Sequence, residues 1–215
     1  MSTDSRPAVV TVSATFGTGG SRIARGVAEE LEVPFVDRAI PGAVAAELGL
    51  SLPDAEAHDD AGPRGLERVM RSLAAVGPVS GIDFRTDFGD RTFCETTEAV
   101  ICRHAESDGG VILGRAGAVV LRDRPRTLHV RLDGPAARRI EHAMRVEGID
   151  RATAQRRLRE NDTARAAYVR VFYGADPASP ALYHLVLDST ALDADTCVDV
   201  IARAARATTA IPAAG

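Results

Sequence analysis

The chain lacks lysine altogether, and its 26 basic residues are all arginine. It also has no tryptophan, and aromatic residues make up only 4% of it. This scarcity argues against the base-stacking surfaces of proteins that bind single-stranded nucleic acid. No apolar run approaches the roughly 20 residues that cross a bilayer, and the N-terminus lacks the apolar core of a signal peptide. We therefore expect a cytoplasmic protein that uses neither a membrane nor a nucleic acid polymer as a partner.

Cysteine is scarce as well, with three residues at positions 94, 102 and 197. The number is odd and the spacing fits no metal site, so a disulfide framework is not supported. We predict reduced thiols that are mostly buried.

The rest of the composition is that of a globular α/β protein. The 215 residues are 45% apolar and 26% charged, which suffices for one large hydrophobic core. Strand-like runs alternate with helical patterns, and this order predicts a parallel sheet with helices on both faces. The predicted strands are 8–13, 33–36, 111–113, 126–132 and 182–188, and the predicted helices are 21–31, 37–48, 64–76, 91–107, 116–121, 135–147, 151–171 and 193–206.

Three finer predictions concern helix ends and packing. Asp133-Gly134-Pro135 predicts a helix start with Asp133 as the N-cap, and Asp150 predicts the cap of the next helix. Gly26 lies inside the first helix, where glycine costs about 1 kcal/mol relative to alanine. We interpret it as a site where this helix packs closely on the sheet.

The segment between the first strand and the first helix is rich in glycine. Residues 14–22 read Ala-Thr-Phe-Gly-Thr-Gly-Gly-Ser-Arg, in the register of the phosphate-binding P-loop G-x-x-x-x-G-K-[ST]. Ala14 replaces the first glycine and Gly20 replaces the lysine. Gly17 and Gly19 allow close approach to an anion, and Ser21 offers a hydroxyl. Three interpretations remain open: a working phosphate site, a decayed one, or a plain turn.

Positive charge is concentrated in the second half of the chain. Residues 115–170 hold 14 Arg and 7 Asp or Glu, although the whole chain has a net charge of −4. Arg159, Asp162 and Arg165 lie three apart on one predicted helix, as a cationic cluster around a migrating phosphoryl group would. An exposed helix with ion pairs is the alternative. Arg22 can replace the missing lysine charge or point to solvent.

Polar residues also follow the predicted strands. Asp37, Arg115 and Asp133 each come just after a strand end, and the glycine-rich segment does too. In open parallel sheets ligands bind at this edge. The five histidines form no ligand pattern.

Taken together, these motifs resemble the cytidylate kinase-like family, within the P-loop nucleoside monophosphate kinases. The resemblance covers roughly residues 8–205. Its motifs are individually weak, but their order is specific, and they lie at residues 16–24, 34–38, 111–115, 162–168, 172–174 and 182–187.

The resemblance implies a three-layer α/β/α fold with five parallel strands and a single domain over 8–207, with tails at 1–7 and 208–215. It implies an acceptor-binding insertion at about 38–90 and a helical lid at about 150–172. ATP, Mg²⁺ and a small nucleotide acceptor, first CMP or dCMP, would be the ligands. The implied nucleotide-binding residues are Gly17, Thr18, Gly19, Gly20, Ser21 (which also meets the metal) and Arg22.

For the other roles the resemblance implies Asp37, Arg38 and Arg115 near the acceptor, and Arg159, Asp162 and Arg165 with Arg22 around the transferred group. One departure stands out, because Ala116 follows Arg115 where cytidylate kinase has Asp. Two alternatives therefore stay open: a nucleotide-binding protein without kinase activity, and a kinase for another small anionic acceptor.

Overall fold

The computed structural model describes residues 8–36, 89–114 and 116–208. The chain divides into two compact units, residues 1–37 with 101–215, and residues 38–100. The second unit is described only in residues 89–100, the first part of one long helix. In chain order the elements are β1 Val9–Ala14, α1 Gly20–Leu31, β2 Phe35–Val36, α2 Gly89–Ser107, β3 Gly110–Leu113, α3 Gly117–Val120, β4 Thr127–Asp133, α4 Ala136–Glu147, α5 Arg151–Tyr173, β5 Leu185–Asp188 and α6 Ala194–Thr208.

Five parallel strands form the sheet, in the order β2-β3-β1-β4-β5. The central strand β1 is almost wholly apolar and β-branched, as a strand buried on both faces requires. Val9 pairs with Gly110 on one side and with Thr127 on the other. The predicted α/β class with a five-stranded parallel sheet is confirmed.

Alternate residues of β1 serve the two faces of the sheet. Val10 and Val12 pack in the main core with Ile23 and Val27 of α1 and Ile201 of α6. Thr11 points the other way, where Gly117 of α3 lies against it. Helices therefore cover both faces, and the carboxyl end of β1 emerges between them at the glycine-rich segment.

The structure corrects two predictions about chain segments. The last strand begins at Leu185 rather than at 182, because Pro180–Leu182 forms a short 3₁₀ turn. Asp133 is not the N-cap of α4. That position belongs to Pro135, and Asp133 is the last residue of β4. Asp150 does cap α5, since its carboxylate accepts the N–H of Thr153 at 2.8 Å.

The prediction that Gly26 lets α1 pack closely on the sheet is also wrong. A Cβ at this position would lie 2.8 Å from Cγ2 of Val198, so the close contact is with α6 and not with the sheet. Of the thiols, Cys197 is buried and Cys102 half-buried, and neither is in a disulfide. Burial, with Asp193 and Asp188 adding to it, raises the pKa of Cys197.

Several predictions lie outside the described residues: the helices at 37–48 and 64–76, the side chain of Cys94, and both tails apart from residue 208. Among the helices that the structure describes, none combines the length and the apolar character needed to cross a membrane.

Candidate functional site: a glycine loop braced by two helices

The segment from Thr15 to Gly19 connects β1 to α1 in two sharp backbone turns. Gly17 and Gly19 have φ angles of +78° and +70°, which glycine adopts without strain. Gly19 is the N-cap of α1, and no side chain caps that helix. The first-turn N–H groups of α1 are therefore left for water or an anion, with the positive end of the helix dipole behind them.

Gly17 also permits a close contact with α4. A Cβ at this position would lie 2.3 Å from the backbone carbonyl oxygen of Arg139, a distance no side chain could accept. Side-chain bonds fix the next part of the loop. The hydroxyl of Thr18 donates to the Thr15 carbonyl at 2.7 Å, and Ser189 donates to the Thr18 carbonyl at 2.9 Å. The loop is thus held in one shape by its surroundings.

Arg139 is a buried cation that the sequence analysis missed. Its side chain is only 9% exposed and forms a salt bridge of 2.7 Å with Asp162. Its Nε donates to the Gly134 carbonyl at 2.9 Å, and a terminal nitrogen donates to the Phe16 carbonyl at 3.1 Å. The one available signal was its spacing, one position before Ile140 and four before Ala143 on the buried side of α4.

Two of the three predicted residues of α5 reach the loop. The Phe16 N–H donates to Oδ1 of Asp162 at 3.0 Å, and the guanidinium of Arg165 donates to the Ala14 carbonyl. Arg159, which was predicted with them, is exposed. The structure therefore brings Asp162 and Arg165 to the glycine loop and leaves Arg159 on the helix surface.

Asp133 ties the end of β4 to the same loop. Its carboxylate accepts the Thr15 hydroxyl at 3.0 Å and Arg131 at 2.7 Å. Burial opposes ionisation of this carboxyl, but the bonds from Arg131, from the Gly134 N–H and from Thr15 outweigh it and lower its pKa. Asp133 therefore lies at the carboxyl end of its strand, where its partners are structural.

The two residues that follow the loop point outward. Ser21 and Arg22 are both exposed. Arg22 lies 3.6 Å from Asp195 of α6, with side chains 77% and 92% exposed, and a pair so exposed contributes little. Arg22 thus turns toward α6, while the Ser21 hydroxyl remains accessible at the start of the helix.

A cavity of about 590 Å³ opens beside the loop, between the start of α1, α4 and the segment after β5. Thr18, Gly19, His142, Arg138, Thr190 and Leu192 are among the residues that line it. The imidazole of His142 covers Gly19, since a Cβ there would lie 3.4 Å from its Cε1. His142 was assigned no role from the sequence, because the five histidines share no spacing.

The residues predicted to bind the acceptor are not among those that the structure describes. Asp37, Arg38 and Arg115 lie outside the described residues, so their predicted roles stay predictions. Gly114 has a φ of +75° and donates its N–H to the Val12 carbonyl at 2.9 Å. Ala116 adopts a left-handed conformation, with φ at +55°, which is strained for a residue with a Cβ.

The residues present suit a nucleoside triphosphate better than a metal ion held by protein ligands alone. The uncapped start of α1 offers N–H donors, and the Ser21 hydroxyl suits a magnesium ion shared with phosphate. In the described ranges there is no group of three or more His, Cys, Asp or Glu side chains that could hold a metal.

Comparison with known proteins identifies a family that this chain resembles. The sequence model of the cytidylate kinase-like family matches residues 9–191. A uronate isomerase of Corynebacterium glutamicum is 33% identical over 97 residues, 45% of this chain and 19% of that protein. The cytidylate kinase of Methanopyrus kandleri is 33% identical over 108 residues, 46% of this chain and 56% of that enzyme.

A third relative, the cytidylate kinase of Methanothrix thermoacetophila, is 27% identical over 201 residues, 93% of this chain and 98% of that enzyme. The chain thus spans less than two thirds of the length of the first two relatives. Among solved structures, an uncharacterized protein from Eubacterium ventriosum has a TM-score of 0.66 at 20% identity, covering 93% of this chain and 98% of its own.

A shikimate kinase from Bacteroides thetaiotaomicron has a TM-score of 0.52 at 12% identity, covering 95% of this chain and 99% of its own. At these identities the two structures establish the fold alone.

Proposed function

Because the chain belongs to the cytidylate kinase-like family, we propose that it transfers the γ-phosphoryl group of ATP to a nucleoside monophosphate, with CMP or dCMP as the first acceptors to test. The observation that carries the proposal is the glycine loop. It turns at Gly17 and Gly19, opens an uncapped helix and borders a cavity of about 590 Å³. A plain turn would need neither the unused N–H donors nor the cavity.

ATP would supply the transferred group, and Mg²⁺ would neutralise charge on its phosphates. The contribution of the chain is positioning and neutralisation of charge. The loop N–H groups at Gly19 and the start of α1 would hold the phosphates, and the Ser21 hydroxyl would be a ligand for the metal. The arginines of α5, Arg159 and Arg165, neutralise charge on the transferred group. Asp162 acts as a positioning residue, because its carboxylate holds Phe16 and Arg139.

The remaining assignments extend this proposal. Residues 38–90 form the acceptor-binding insertion and 150–172 the lid, within a domain over 8–207. Asp37, Arg38 and Arg115 bind the acceptor, whose phosphate suits arginine side chains. Arg22 contributes at the nucleotide if it leaves Asp195 on ligand binding. The cytoplasm is the proposed location.

A second candidate is a nucleotide-binding protein without kinase activity. The observation that favours it is Gly20 at the lysine position of the loop, in a chain that contains no lysine. Under this alternative ATP or ADP binds, and calorimetry should show that Arg159→Ala and Arg165→Ala leave this binding unchanged.

A coupled assay of ADP release tests both candidates. Mg-ATP is supplied with CMP, dCMP, UMP, AMP or shikimate, the last as a small anionic alcohol. We expect acceptor-dependent turnover with a cytidine nucleotide, and a loss of at least tenfold in kcat for Arg159→Ala, as for one lost charge-assisted contact. Arg203→Ala, an exposed arginine of α6, is the matched control and should keep full activity.

The outcomes separate the candidates. If shikimate is the only acceptor that supports turnover, the protein is a phosphotransferase, but the proposed nucleotide acceptor is wrong. Nucleotide binding by calorimetry without turnover on any acceptor would favour the binding protein. Absence of both binding and turnover would refute the proposed function.

A further inference from the structure

The two departures of the loop from the P-loop pattern meet in space. Ala14 stands at the position of the first glycine, and Gly20 at the position of the lysine. A Cβ built on Gly20 would lie 2.4 Å from the Cβ of Ala14, closer than real Cβ contacts come. The next nearest atom, Cδ1 of Leu113, is at an ordinary 3.8 Å. The obstacle to a Cβ at position 20 is therefore one methyl group, that of Ala14.

This contact gives the two departures from the P-loop pattern a single cause. The inference drawn from it rests on the proposed function. We propose that Ala14 and Gly20 form a steric pair in which only one member can carry a Cβ, so that the loop excludes any side chain from the lysine position. We propose further that the guanidinium of Arg165, reaching in from α5, supplies the positive charge that lysine provides elsewhere.

The position of Arg165 supports the second half of the proposal. Its guanidinium donates to the carbonyl of Ala14, at the mouth of the loop, and the side chain is exposed. Arg139, the other arginine whose side chain bonds to the loop, is buried against Asp162. Arg22 and Arg145 line the neighbouring cavity, and Arg22 lies beside Asp195. Arg165 is thus placed to meet a phosphate bound at the start of α1.

The steric half is tested by a double-mutant cycle of Gly20→Ala and Ala14→Gly. Gly20 is the first residue of α1 and its φ is not positive, so alanine fits its backbone. We expect Gly20→Ala to lower the thermal midpoint by roughly 5 °C or more, as overpacking does in a domain of this size. In the Ala14→Gly background the same change should cost nothing. An unchanged midpoint for Gly20→Ala alone would refute the pair.

The charge half is tested by restoring the lysine. Arg165→Ala should weaken Mg-ATP binding about tenfold by calorimetry, as expected for one charge-assisted bond, whereas Arg203→Ala should not. Adding Ala14→Gly with Gly20→Lys to Arg165→Ala should recover the affinity. Adding Gly20→Lys alone should not.

The results distinguish this inference from the proposed function. If wild-type protein binds no Mg-ATP, the proposed function and the role of Arg165 fail, while the thermal cycle still decides the steric pair. If Arg165→Ala binds Mg-ATP as wild type does, the charge assignment is wrong. If Gly20→Lys restores affinity without Ala14→Gly, the steric pair is wrong.

Discussion

Breaking the Arg139–Asp162 pair should weaken the contacts by which two helices hold the glycine loop. The change Asp162→Asn removes the ionic partner of Arg139 but keeps an oxygen that can accept the Phe16 N–H. Arg139 would then be a nearly buried cation, 9% exposed, bonded to carbonyl groups and left with one more distant carboxylate, that of Asp133 at 3.9 Å from its Nε. Poorly compensated burial of a charge is the reason for the expected loss of stability.

The size of the effect follows from the burial of the two side chains. Removing one member of a fully buried ion pair costs about 3–5 kcal/mol. Because Asp162 is 26% exposed, water screens part of the interaction, and we expect about 2–3 kcal/mol. For a chain of this length the thermal midpoint should fall by about 4–12 °C. The affinity for Mg-ATP should fall with it, since the loop loses its support.

A second ion pair between α4 and α5 provides the matched control. Arg157 and Glu147 are also 2.7 Å apart, but their side chains are 30% and 35% exposed. Glu147→Gln should therefore cost less than about 1 kcal/mol. Urea unfolding of both variants measures the difference. Equal costs for Asp162→Asn and Glu147→Gln would refute the reasoning, and so would additivity of Asp162→Asn with Arg139→Met.

Two further predictions concern stability. Burial, together with the neighbouring His184, lowers the pKa of His129 from 6.5 to about 4. As pH falls, His129 therefore becomes protonated in the unfolded chain before it does in the folded chain. Stability should drop by about 2 kcal/mol from pH 7 to 5, and urea unfolding of His129→Gln should lack most of that drop; an equal drop would contradict the assignment. Gly17→Ala should cost clearly more than Gly148→Ala in thermal unfolding. Both positions are left-handed, but only Gly17 meets a backbone carbonyl, at 2.3 Å, so equal losses would count against the clash.

The sheet could be predicted because its signals are local. The β-branched run of β1 and the glycines after it lie within a dozen residues of each other. The start of β5 was wrong for the same reason, since Leu182 and Tyr183 continue an apolar run. Tyr183 instead donates its hydroxyl to the Pro177 carbonyl at 2.9 Å and lies against Arg131. That contact is set by the fold rather than by the neighbouring residues.

The braces of the loop could not be predicted, because they are distant in sequence. Phe16 bonds to Arg139 and Asp162 across 123 and 146 residues. Periodicity reports which side of a helix is apolar, and on that basis an arginine in α4 reads as a solvent-facing charge. Asp133 was misread as a cap because strand pairing brings Thr15 to it from 118 residues away, and because Arg131 reaches it along the same strand.

The structure gives the absence of lysine a different meaning. In the sequence, this absence argues against a phosphate-binding loop. In the fold, side chains from two helices bond to the loop that lacks the lysine. Asp162 and Arg165 bond to Phe16 and Ala14 and lie in the segment proposed as the lid. If that segment moves as a lid, it cannot open without breaking both contacts. Loop order and lid position would then be one equilibrium, and a nucleotide bound at Gly19 would act on both.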